Sequence, residues 1–169
     1  MLTKLLALLL GAWIAATLLM WAVATANFRT VDRVLNQPTA EAAPVIATMP
    51  EAARRPLLRH LASELNRRFF WVWGAVQLLL ALAVLVLVLK QAPQNRTNLT
   101  IAAVLVGLVV ILLGAITGSI VRLGRAMDFL PRVSPPPQMA LFGKLHAAYS
   151  GLDLIKLVLS SVLAWRVLR

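Results

Sequence analysis

The sequence predicts an all-α integral membrane protein: four transmembrane helices arranged as two helical hairpins with cytoplasmic helical extensions. Three observations predict it. Four apolar stretches, residues 5–26, 69–89, 99–121 and 147–168, are each close to the ~20 residues that a helix rising ~1.5 Å per residue needs to cross a hydrocarbon core of about 30 Å. The composition is 60% hydrophobic and 14% charged, whereas a soluble domain is about 45–50% apolar. Outside the four stretches only the connections 27–68 and 122–146 and a short turn remain, too little for a water-soluble core. Residues 1–169 therefore read as a single membrane domain.

The first apolar stretch follows Lys4 and exceeds the 7–15 residues of a secretion-signal core, so it reads as a retained span. Its helical pattern does not stop at the membrane edge. Phe28, Val31, Val34 and Leu35 continue at helical spacing, with Arg29, Asp32, Arg33 and Asn36 between them, and Pro38 marks the stop. Residues 37–49, rich in Ala, Pro and Thr, read as a flexible loop. The second helix is expected to begin near Pro56, a favoured first-turn residue. Leu58, Leu61, Leu65 and Phe69 lead it into the second span, with Glu64 and Arg68 as an i,i+4 pair worth a few tenths of a kcal/mol. The third helix continues through Arg122, Arg125 and Asp128 to Pro131. The fourth starts at the punctuation Ser134-Pro135-Pro136-Pro137 and runs to the end. The paired fragments Arg29-Thr30-Val31-Asp32 and Arg125-Ala126-Met127-Asp128 suggest a duplicated helix pair.

Between helices in lipid, apolar burial gives no net drive, so small residues that permit close approach mark packing faces. Gly114 and Gly118, with Gly107 on roughly the same side, form one such face in the third span, and Gly11 and Ala15 form another in the first. Either the helices of this chain meet there or another protein's helix does. Trp71, Trp73 and Trp165 lie near span ends, as an aromatic belt expects, while Trp13 and Trp21 lie deeper.

Charge sets the orientation. The termini and the second connection share one side, with Lys4, Lys90, Arg96, Arg166 and Arg169. The opposite side carries Arg29, Arg33, Arg54, Arg55, Arg59, Arg67, Arg68, Arg122, Arg125, Arg132 and Lys144. The positive-inside rule then places connections 27–68 and 122–146 in the cytoplasm and both termini outside. The net charge of +11 belongs with anionic headgroups rather than nucleic acid, because no nucleic-acid-binding module is visible. The sequons Asn95-Arg96-Thr97 and Asn98-Leu99-Thr100 fall in or beside the outer turn and matter only in a host that glycosylates.

Two polar groupings are the candidate sites. His146, Tyr149, Asp153, Lys156 and Ser160, at steps of three or four residues, share one face of the fourth helix. Ionisable groups within a span face the bundle interior or a polar cavity. The stripe is a proton or ion path, a polar pocket open to the cytoplasm, or an Asp153–Lys156 pair that locks the helix to its neighbours. The second grouping gathers at the protruding helix ends: Arg29, Asp32, Arg33, Glu64, Asn66, Arg67, Arg125, Asp128 and His146. It reads as a clamp of Arg with carboxylates, or as a phosphate or headgroup site. Cys is absent and only His60 and His146 supply imidazole, so no metal constellation is expected and a haem or pigment contact is confined to His146. No Walker loop, G-x-S-x-G or H-E-x-x-H occurs, so no catalytic residues are assigned.

Gly11-Ala12-Trp13, Asn27-Phe28-Arg29 with Asp32, Asn66-Arg67 with Trp73, and Phe142 with Leu145-His146 and Tyr149 together give the chain a resemblance. It resembles a family of bacterial four-helix membrane proteins related to a eukaryotic transmembrane protein implicated in metal-drug resistance. The resemblance implies a four-helix fold in the bacterial cytoplasmic membrane and no established activity. Metal-drug resistance is not carried over, because the chain lacks Cys and has few intramembrane Met residues to bind soft metals. The function expected is a non-catalytic accessory subunit of a larger membrane assembly, respiratory or photosynthetic, with lipid and other membrane subunits as partners and no cofactor. The alternatives are a small transporter using Asp153 and Lys156, and a lipid-headgroup-binding module.

Overall fold

The computed structural model describes residues 1–91, 95–130 and 136–169. All regular structure among them is helical: α1 (Leu2–Asn36), α2 (Ala42–Thr48), α3 (Glu51–Gln91), α4 (Arg96–Ile111), a π-helical segment (Leu112–Thr117), α5 (Gly118–Ala126) and α6 (Gln138–Leu168). Three helical stretches are long and apolar enough to cross a membrane: α1, α3 and the rod Arg96–Ala126 made of α4, the π-segment and α5. The fourth expected span, α6, is 31 residues long and carries Asp153 and Lys156 in its middle.

Cross-helix hydrogen bonds fix the relative directions. Gln91 Nε2 donates to Thr3 Oγ1 at 2.6 Å and Asn27 Nδ2 to Asn66 Oδ1 at 2.6 Å, so α1 and α3 run antiparallel. Arg67 reaches Asp128 and Arg166 reaches Asn98, which sets the rod antiparallel to both α3 and α6. Trp21 reaches Asp153, so α6 also opposes α1. One end of the bundle holds the long connections and the other holds the termini.

The terminal half of the interior is apolar. Leu6, Leu10, Ala81, Val84, Val88, Ala102, Leu105 and Leu163 are buried together there. One close backbone approach is at Gly74, where an added Cβ would sit 2.5 Å from Leu113 Cδ1. The expected packing glycines face elsewhere. A Cβ at Gly11, Gly107 or Gly114 would meet nothing within 4 Å, Ala15 is exposed, and Gly118 only touches Trp71 at 4.0 Å. Heptad-like spacing shows that small residues share a helix face; it does not show which neighbour that face meets.

Several element boundaries depart from the sequence reading. The 37–49 stretch is not all loop, because Ala42–Thr48 forms a short helix. Arg54 holds its end, donating to the carbonyls of Met49 at 2.9 Å and Ala47 at 3.1 Å, as cations at helix C-termini do. The second long helix begins at Glu51, just after Pro50, and runs through Pro56. The proline costs only one backbone bond there, and the preceding turn is held by the amides of Ala53 and Arg54 bonding to the Pro50 carbonyl. The third helix does not continue regularly to Asp128. It widens into the π-segment, where Thr117 Oγ1 donates to the Leu112 carbonyl at 2.8 Å, and it ends at Ala126. Asp128 sits in the following turn, next to Phe129, whose φ of 63° is in the left-handed region that terminates helices. Pro131, Arg132, Ser134 and Pro135 lie outside the described residues. Pro137 precedes the first residue of α6, as the proline punctuation suggests. Asn95, the first residue of one sequon, accepts the Asn98 amide at 3.1 Å and so caps α4.

Candidate functional site: a polar centre, a lateral cavity and a charge clamp

The α6 stripe points into the bundle for most of its length. Tyr149, Asp153, Lys156 and Ser160 are buried, whereas His146, one turn earlier, is exposed. Asp153 and Lys156 are each 1% exposed. Lys156 Nζ donates to Asp153 Oδ1 at 2.5 Å and to Gln77 Oε1, and it lies 5.7 Å from the ring centres of Trp13 and Trp73. Trp21 Nε1 donates to the other carboxylate oxygen, Asp153 Oδ2, at 2.7 Å. Both buried charges therefore have opposite charge, hydrogen bonds and aromatic faces around them, which is the condition for tolerating them away from water. The group joins α1, α3 and α6, and Trp13, Trp21 and Gln77 are members that sequence spacing did not attach to it. Trp13 Nε1 and Ser160 Oγ are buried without a partner among the described residues. Beyond them the apolar residues of the terminal half fill the interior, so the polar centre ends there.

Beside the polar centre lies a lateral cavity of about 430 Å³ between α1, α3 and α6. Its walls are largely aromatic: Trp21, Phe69, Phe70, Trp73 and Tyr149. Phe70 and Tyr149 meet edge to face with ring centres 5.0 Å apart. Asn66, His146, Ser150 and Asp153 add polar groups. The helical pitch places His146, Tyr149 or Ser150, and Asp153 one turn apart along the α6 wall.

At the connection end the charge cluster is smaller and more ordered than the sequence grouping. Its centre is Arg67, which donates to Asp128 Oδ1 at 2.7 Å, to Asp128 Oδ2 at 2.8 Å and to Glu64 Oε1 at 2.5 Å. Arg125 donates to both Glu64 oxygens at 3.2 Å, and His60 Nδ1 lies 3.0 Å from Asp128 Oδ2. Glu64 thus pairs with Arg67 at i,i+3 rather than with Arg68, which is exposed. The hydrogen bonds from Arg125 and then Arg67 hold the Glu64 carboxyl down at about 2. Burial alone would raise Asp128, but the Arg67 hydrogen bonds and charge outweigh it and leave the carboxyl below its ordinary value. Burial likewise opposes charge on Arg67, and its bonds to Asp128 and Glu64 reverse that effect.

The other expected members stand apart. Asp32 pairs with Arg55 on the exposed surface. Asn66 is taken up by Asn27 and by the Ala24 carbonyl, to which it donates at 3.1 Å. Arg29 and Arg33 are exposed, and His146 stacks on Phe142 with ring centres 6.0 Å apart. His60 was missed as a partner of this group, although His60, Glu64 and Arg67 recur at i, i+4 and i+7 on one helix face. His60, Glu64 and Asp128 bring ligand atoms within 4.8 Å of one another, a grouping the sequence reading did not anticipate. Arg67 donates to both of those carboxylates and Arg125 to one, so guanidinium already supplies the positive charge a cation would bring.

No protein-family model, curated protein or solved structure matches the chain.

Proposed function

We infer that the chain is a four-span integral membrane protein of the bacterial cytoplasmic membrane, with α6 as the fourth span and the helices paired as two hairpins. In this reading it serves as a non-catalytic accessory subunit of a larger membrane assembly. The positive-inside imbalance supports a cytoplasmic connection end with both termini outside. The resemblance to bacterial four-helix membrane proteins points the same way.

The observation that carries the subunit role is the outward direction of the small residues. Gly11 and Ala15 on α1, and Gly107 and Gly114 on the rod, leave open space where side chains would otherwise stand. All four are exposed among the described residues, and flat glycine faces in lipid are what a neighbouring helix approaches. Transport fits less well. Lys156 bonds both Asp153 and Gln77, and the apolar terminal half closes the interior beyond Ser160. A headgroup-binding role would rest on exposed cations such as Arg29, Arg33, Arg68, Arg122 and Lys144, a solvated surface.

Native electrophoresis of mildly solubilised host membranes tests the reading. Wild type is expected in a defined large assembly, and Gly107→Leu with Gly114→Leu is expected to release it as a folded, smaller species. Migration of the wild type as a small monomer or homo-oligomer in several mild detergents would refute the subunit role.

A further inference from the structure

We propose that the lateral cavity between α1, α3 and α6 is a binding site for a neutral, flat, lipid-borne ring bearing carbonyl oxygens, that is, a quinone. Several of the polar groups that line the cavity are already bonded. The Asp153 carboxylate is neutralised by Lys156 and bonded by Trp21, so it does not offer a charge for a cationic guest. Asn66 spends its amide on Ala24 and its carbonyl on Asn27, and the Thr25 hydroxyl donates to the Trp21 carbonyl at 2.9 Å. Among the described residues no Arg or Lys lines the cavity, so no permanent cation in it selects an anion.

Tyr149 and Trp73 also carry donors but are buried; two lining side chains remain exposed and unbonded among the described residues, the His146 imidazole and the Ser150 hydroxyl. Both donate hydrogen bonds. They stand at i,i+4 on α6, about 5–6 Å apart at Cβ, so both donors face the same side of the cavity and can bond carbonyl oxygens of one ring. The facing aromatic side chains supply what a flat ring stacks on. The volume of about 430 Å³ lies within the range of small-molecule sites, about 300–1,000 Å³. The cavity spans the residues where the apolar stretches begin and end: Ala24 and Thr25 on α1, Phe69 and Phe70 on α3, and His146 to Ser150 on α6. A ligand dissolved in the bilayer would meet it from the side, with its ring near the headgroups and its tail in the acyl chains. This assignment rests on the membrane reading above but not on a partner subunit.

The test uses the purified full chain in phospholipid nanodiscs, with decylubiquinone as the probe and tryptophan fluorescence as the readout. Trp21 and Trp73 line the cavity, so bound quinone should quench a saturable fraction of the emission. His146→Leu with Ser150→Ala should raise the half-saturating mole fraction about tenfold through loss of two hydrogen bonds. The melting temperature should not change, because both side chains are exposed. Ala24→Phe, which fills the cavity from α1, should abolish saturation. Quenching that rises linearly with quinone and is equal in all variants overturns the assignment. So does a saturable change in tryptophan emission with dodecyltrimethylammonium and none with decylubiquinone, which would make the cavity a cation site. Failure of the chain to incorporate into discs overturns the membrane reading and the assignment with it. Incorporation without saturation overturns the assignment alone.

Discussion

The buried pair Asp153–Lys156 gives the sharpest test of whether the α6 stripe is a lock. Both residues are 1% exposed, and Lys156 has Asp153 as its one charged partner. Removing one member of a buried ion pair costs about 3–5 kcal/mol, because the survivor is left uncompensated. Here the survivor keeps some support: Asp153 retains the Trp21 indole N–H, and Lys156 retains Gln77 and two aromatic faces. Lys156→Met is therefore expected at the low end, about 3 kcal/mol. Asp153→Asn, which keeps a carbonyl acceptor for Lys156, is expected to cost about 2 kcal/mol, in the range for a hydrogen bond to a charged group. Asp153→Leu with Lys156→Met removes both charges, and such replacements are neutral or stabilising. The double variant should lie within about 1 kcal/mol of wild type. Reversible unfolding of the detergent-solubilised protein on titration with sodium dodecyl sulfate measures all of these. The reasoning fails if each single change costs less than about 1 kcal/mol, or if the charge-removing double change costs the sum of the singles.

Arg67→Met should destabilise the connection end by about 2–3 kcal/mol, because Asp128 and Glu64 lose the donor they share; Arg67→Lys should recover only part, having no fork to bond both Asp128 oxygens. Hydrogen–deuterium exchange of residues 60–68 and 122–128 locates the loss. Gly74→Val should cost about 1–3 kcal/mol by forcing Leu113 away, and Leu113→Ala should restore stability in the double variant; an additive loss would place the close contact elsewhere. Acid should weaken the clamp. Glu64 titrates at about 2 in the folded chain against 4.5 ordinarily, and Asp128 is also lowered from 3.8. Their stabilisation is present above these ordinary values and is lost as pH falls from about 4.5 toward 2, because the unfolded chain takes up protons first. Thermal unfolding followed across that range should show a decline that Glu64→Gln makes shallower.

The sequence by itself determined the helical character and the three helices long and apolar enough to cross a membrane, because twenty uncharged residues in a row have few other stable outcomes. It also placed Tyr149, Asp153, Lys156 and Ser160 on one face, since that is a matter of pitch along a single helix. The Pro38 stop and the proline start of α6 were legible for the same reason: proline acts on its own backbone. What lies across from a face is not local information. Only the tertiary structure decided that Gln77, Trp13 and Trp21 surround Lys156 and Asp153, and that Arg67 rather than Arg68 takes Glu64. Only it showed that Gly74 packs while Gly11, Gly107 and Gly114 look outward. These depend on the rotation of each helix about its axis, which the whole interface sets at once. The π-segment at Leu112–Thr117 is one such case, since one extra residue in a turn re-aims every side chain after it.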